Sequence, residues 1–127
     1  MRQAAATLTS ASISFRTNDE NKDWDSHVTI TVKDGSKIIA ARTDSDFGVF
    51  NANTNYGPYG LDIFSPSAKS SVQAGTITIR IDPVGHDTWR FNFVLTLLFS
   101  DGTRLLAAVD GNELTQNHKE QTWRIIS

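Results

Sequence analysis

Hydrophobic and polar residues alternate along most of the chain with a period of two. That spacing puts successive side chains on opposite faces of an extended strand. Residues 8–16 set Ala11, Ile13 and Phe15 on one face and Ser10, Ser12, Ser14 and Arg16 on the other. Residues 27–33 repeat the pattern, with Val28, Ile30 and Val32 expected inward and His27, Thr29, Thr31 and Lys33 outward. Asp34-Gly35 predicts a hairpin, because glycine tolerates the positive φ such turns require, and residues 37–42 supply the return strand. Residues 59–64 predict a short strand, and residues 76–82 a strand that buries Ile77, Ile79 and Ile81. The strongest signal spans residues 88–99, where Trp89, Phe91, Phe93, Leu95, Leu97 and Phe99 share one parity. Burying each such side chain is worth ~1.5–3 kcal/mol, so this strand is expected to be the spine of the core. Asp101-Gly102 turns the chain into residues 103–109, Asp110-Gly111-Asn112 turns it again, and a last strand carries Trp123 and Ile125.

The segments between these runs are polar. Residues 43–58 are rich in turn formers, with Phe47, Val49 and Phe50 expected to pin them to the core, and residues 65–71 read as a surface loop. No segment has a convincing helical period. About eight strands separated by turn signals predict an all-β fold, an antiparallel β-sandwich. It is expected to form one domain over residues 1–127, with 1–7 as a loose leader.

Composition narrows the function. At 39% hydrophobic and 20% charged residues the chain belongs with globular proteins. A net charge of -2 and a pI near 5.8 leave no basic footprint, which argues against nucleic acid as the main partner. The absence of cysteine removes disulfides and thiolate metal sites. The chain has no Gly-x-Ser-x-Gly elbow, no His-Glu-x-x-His pair and no phosphate-cradling glycine loop, and His27, His86 and His118 stand apart from one another. A non-catalytic protein is expected.

The densest chemistry lies between the first two strands. Residues 17–26 hold four acids and one lysine, and Asp19-x-Asn21-x-Asp23-x-Asp25 presents a side-chain oxygen donor at every second position. Calcium takes six to eight oxygen ligands from such groups, and a chain curling around an ion delivers them at alternate residues. The first half of an EF-hand shares this spacing, but Trp24 and Ile30 occupy the places of its turn glycine and closing glutamate, and the flanks are strands. The spacing thus points to a calcium loop at the end of a sandwich; the alternative is a solvated acidic loop held by an Asx-turn. Asp82, His86 and Asp87 lie in a loop that can reach the same end, as can Asp44 and Asp46. Asp87 is the favoured extra ligand, because it precedes the strand anchored by Trp89. Asp82 and Asp87 otherwise serve as turn caps.

Three aromatics sit in or beside polar segments. Trp24 is placed to enter a membrane interface or to stack on a sugar ring, or else to fold back over the sandwich end. Tyr56-Gly57-Pro58-Tyr59-Gly60 reads as the rim of a binding groove, or as a turn stapled by its aromatics.

The order Ile13-Ser14-Phe15, acidic loop, Val28-Thr29-Ile30-Thr31-Val32, then Gly75-Thr76-Ile77-Thr78-Ile79-Arg80-Ile81 and Gly85-His86-Asp87-Thr88-Trp89, resembles the PLAT (lipoxygenase-homology) and C2-type sandwiches. That resemblance implies an eight-stranded, calcium-responsive module that binds lipid surfaces or protein partners, with ligands on Asp19, Asp23, Asp25 and Asp87. Two functions are therefore expected. The first is a calcium-dependent module recognising a membrane lipid, glycan or protein surface through its acidic end loop. The second is a structural or assembly protein, within a homo-oligomer, whose loop ion serves stability alone.

Overall fold

The computed structural model describes residues 6–18, 27–45, 51, 53–82 and 87–125. Within them the chain forms eight antiparallel strands and a single helical turn. The strands are β1 (Leu8–Thr17), β2 (His27–Asp34), β3 (Lys37–Ser45), β4 (Thr54–Ile63), β5 (Thr76–Asp82), β6 (Thr88–Phe99), β7 (Arg104–Thr115) and β8 (Glu120–Arg124). The helical turn α1 (Lys69–Gln73) lies between β4 and β5.

The all-β, eight-stranded antiparallel expectation is met. The two facing layers of a sandwich, however, are replaced by one continuous, nearly closed sheet in the order β7-β6-β1-β4-β3-β2-β5-β8. β4 makes the sheet continuous. It pairs with β1 over most of its length, from Thr17–Thr54 to Ala11–Leu61, and with β3 through Ala40–Ile63 and Ala41–Asp62 alone. β7 and β8 are the two free edges, and a cleft of about 400 Å³ lies between them.

The period-two reading places the core correctly. Ala11, Ile13, Phe15, Val28, Ile30, Val32, Ile77, Ile79, Ile81 and all six apolar residues of one parity in β6 are buried. β6 lies between β1 and β7 and stacks its aromatics along the interior: Trp89 on Phe91 at 3.9 Å and 16°, then Phe93 against Trp123 at 4.9 Å. Aromatic pairs at such spacings add to their area burial.

Three local readings change. Residues 54–58 belong to β4 and not to a loop; a register shift between Ile13 and Phe15 accommodates Gly57-Pro58, whose peptide bond is cis. Asp110-Gly111-Asn112 is no turn. β7 runs through it as a bulge, in which Gly111 has φ +72° and donates its N–H to Asn92 Oδ1 at 2.8 Å. Glycine at positive φ suits a bulge as well as a hairpin, and the sequence alone does not separate the two. Residues 69–73 form α1, whose Val72 is fully buried at the base of the sheet. A single turn is too short to show a period.

Candidate functional site

The strand ends joined by the β1–β2, β3–β4, β5–β6 and β7–β8 connections all lie at one end of the sheet, as the antiparallel registers require. The floor of that end is aromatic. Trp89 is fully buried among Phe15 and Phe91, with centroids at 5.2 and 3.9 Å, and its indole N–H donates to Thr17 Oγ1 at 3.0 Å. Thr17 is itself completely buried, so this bond satisfies two polar groups that water does not reach.

Asn18 begins the acidic connection and is held on three sides. Its N–H donates to the Arg90 carbonyl at 2.8 Å, its carbonyl accepts from the Asn53 N–H at 2.9 Å, and its side-chain Nδ2 donates to Asn92 Oδ1 at 3.0 Å. Asn92 Oδ1 thus accepts from both Asn18 and Gly111, tying the end of β1 to the β7 bulge. Nothing in the alternation of β6 marks Asn92 out from its other outward residues. The connection ends at His27, which pairs with Asp82. Its two anchors therefore rest on the strands that flank the β5–β6 connection. Asp19, Asn21, Asp23, Trp24 and Asp25 lie outside the described residues, as do His86, Asp46, Phe47, Val49 and Phe50.

Asp87 is the expected ligand that the structure does describe. It sits at this same end and is only 6% exposed. Its backbone clasps Gln116: the Asp87 N–H donates to Gln116 Oε1 at 3.1 Å, and the Gln116 N–H donates to the Asp87 carbonyl at 3.2 Å. Thr115 Oγ1 in turn accepts from the N–H groups of Asn117 and His118, fixing the β7–β8 connection beneath. Asp82 accepts from Arg80 Nε at 3.0 Å, and Glu113 from Arg90 Nε at 2.7 Å. Among the described residues no three His, Asp or Glu side chains gather closely enough to hold a metal ion.

Tyr56 and Tyr59 stand together in β4, on the far side of β1 from Asp87. Both are half-buried and pack against the core. The Tyr56 hydroxyl accepts from the Asn51 N–H at 2.7 Å. Tyr59 lies 6.4 Å from the Phe15 ring, and the Arg42 guanidinium sits over it at 5.7 Å. Burial, followed by the neighbouring Tyr56, pushes the Tyr59 phenol above its ordinary value of 10.0, and Arg42 opposes this. A raised folded value means the folded chain favours the neutral phenol. That contribution to stability is complete below the unfolded value and is lost as pH rises through the folded one. Tyr59→Phe should flatten the alkaline decline in stability above about pH 10, seen as a smaller difference in urea midpoint between neutral and alkaline pH than in the wild type.

A shallow pocket of about 140 Å³ opens on the outer face beside this end, lined by Ser14, Arg16, Asn55, Asn92 and Val94. The alternation of β1 and β6 marks most of these residues as outward-facing, but their convergence depends on the β4–β1–β6 strand order. The chain matches no protein-family model, no curated protein and no solved structure among those compared.

Proposed function

We propose that the protein is a calcium-dependent, non-catalytic binding module, PLAT- or C2-like in build, that recognises a membrane lipid, glycan or protein surface through its acidic end. The observation that carries this reading is the anchoring of the acidic connection. Asn18 is bonded to β6 and His27 is paired with β5, so the segment carrying Asp19, Asn21, Asp23 and Asp25 springs from the same end as Asp87. The donor set is all oxygen, which suits a hard cation, and the chain has no thiol to favour a softer one. Asp19, Asn21, Asp23, Asp25 and Asp87 would hold the ion, which would neutralise their mutual repulsion. Trp24, between two of these acids, would couple the occupied loop to the surface it faces. Tyr56 and Tyr59 would contribute at most a neighbouring contact, since their rings also pack on the core.

A second reading has one observation in its favour. Asp87 is buried, so an ion it holds is turned toward the body of the protein and can serve stability alone. Melting separates ion from no ion. Calcium at a hundredfold excess over its dissociation constant stabilises by ~2.7 kcal/mol, a rise of about 10 °C over the chelated protein. An unchanged midpoint contradicts both readings. Co-sedimentation with anionic vesicles and binding to a glycan array, each with calcium and with chelator, then separates the two. Trp24→Ala should abolish surface binding while leaving the midpoint within a few degrees. Retention of binding by that variant would remove Trp24 from the contact.

A further inference from the structure

Two free edges end the sheet, and they differ. β8 is five residues long and places Glu120 and Arg124 at its ends. Short edges carrying charge resist pairing with other chains. β7 is twelve residues long, and its first half reads Arg104-Leu105-Leu106-Ala107-Ala108-Val109-Asp110. The five residues between the two charges are apolar and include no proline. Leu106 is 60% exposed, and Val94, the β6 partner of Ala108, is 40% exposed. Among the described residues no hydrogen bond joins β7 to β8.

The hydrogen-bond phase of this edge follows from one contact. The Phe99 N–H donates to the Thr103 carbonyl at 3.0 Å and the Phe99 carbonyl accepts from the Gly102 N–H at 2.9 Å, so Phe99 and Thr103 lie at a bonded position of the ladder. Bonded pairs recur at every second residue of an antiparallel ladder. The β6–β7 register then makes Leu97–Leu105, Leu95–Ala107 and Phe93–Val109 the bonded pairs. Arg104, Leu106 and Ala108 direct their N–H and C=O groups away from β6, toward the cleft whose far wall is Trp123, Arg124 and Ile125, and their side chains are exposed.

We propose that β7 pairs antiparallel with β7 of a second copy of this chain, about a two-fold axis at Ala107, to form a dimer with a continuous sheet. An axis there sets Leu106 opposite Ala108 as a bonded pair, on the outer face with Val94 of each copy. It sets Leu105 opposite Val109 on the inner face. It also sets Arg104 opposite Asp110, once on each side of the axis. Neither charge has a hydrogen-bond or ion-pair partner among the described residues. The segment is therefore complementary to its own reverse in backbone phase, in apolar side chains and in charge. A two-fold interface requires this of a single patch. The bulge at Asp110-Gly111 ends the matching stretch, because an extra residue there breaks the ladder.

Sedimentation equilibrium and size-exclusion chromatography with light scattering test this. The wild type is expected to be a dimer, with and without calcium. Ala108→Pro removes an N–H that β6 does not use, so it should give a folded monomer with an unchanged dilute melting midpoint. Arg104→Asp or Asp110→Arg sets like charges together twice and should weaken the dimer about tenfold. Combining the two reversals should restore it. A wild type that remains monomeric at its solubility limit overturns the proposal, as does an Ala108→Pro dimer as tight as the wild type. Should Ala108→Pro fail to fold, the reversals still decide: a double variant as weak as the single ones overturns the pairing.

Discussion

Trp89→Ala should cost about 3–5 kcal/mol, the range for deleting a large aromatic from a packed interior. Three losses combine. The indole has no exposed surface and stacks on Phe91 at 3.9 Å, so its removal leaves a void bounded by Phe15 and Phe91. Thr17 Oγ1 loses its donor in a place water does not reach, which costs about 1–3 kcal/mol if nothing relaxes. The end of β1 then loses one of its ties to β6, one residue before the acidic connection begins. A domain of this size has about 5–15 kcal/mol of stability in all, so the variant should be barely folded at 37 °C. Trp89→Phe keeps most of the packing and orphans the hydroxyl, so it should fall between. Adding Thr17→Val to Trp89→Phe should recover part of the difference, because the unpaired group is then gone. Urea unfolding of the four proteins measures this order. An alanine variant within 1 kcal/mol of the wild type would refute the assignment of Trp89 to the core.

Gly75→Ala should be nearly as damaging although it adds one methyl group. A Cβ at Gly75 would meet the Lys33 carbonyl oxygen and lie 3.0 Å from the Val72 carbonyl oxygen. Both are backbone atoms and cannot swing aside, so β2 or α1 must move. Gly75 also donates its N–H to Val72 and accepts from the Ile125 N–H at 3.1 Å, which joins α1, β5 and the end of β8. Forced overpacking of this kind costs about 1–3 kcal/mol, and more where backbone must shift. Gly60→Ala is the control, since a Cβ there meets nothing within 4 Å. Thermal unfolding should put Gly75→Ala several degrees or more below Gly60→Ala; equal midpoints would show that the base of the sheet yields.

The strand phases were legible because burial on one face writes a period of two. The residues expected inward in β1, β2, β5 and β6 are the buried ones. The continuity of the sheet was not legible. It depends on two residue pairs between β3 and β4, and residues 54–58 carry the glycine and proline that ordinarily mark a loop. Asp110-Gly111 misled for a related reason, since the positive φ glycine supplies serves a bulge and a turn alike. At the candidate end of the sheet, the position of Asp87 just ahead of β6 was legible from the strand that Trp89 anchors. The clasp of Asp87 with Gln116 and the bridging role of Asn92 depend on partners 19 or more positions away, which no local pattern records.

Isothermal titration of calcium into chelator-treated protein is the most direct test of the acidic end as an ion site. Saturable binding is expected in the wild type, with a loss of at least about tenfold in Asp23→Asn and in Asp25→Asn, while Asp101→Asn at the other end of the sheet binds as the wild type does. No saturable binding, or affinity unchanged in both loop variants, would contradict the account.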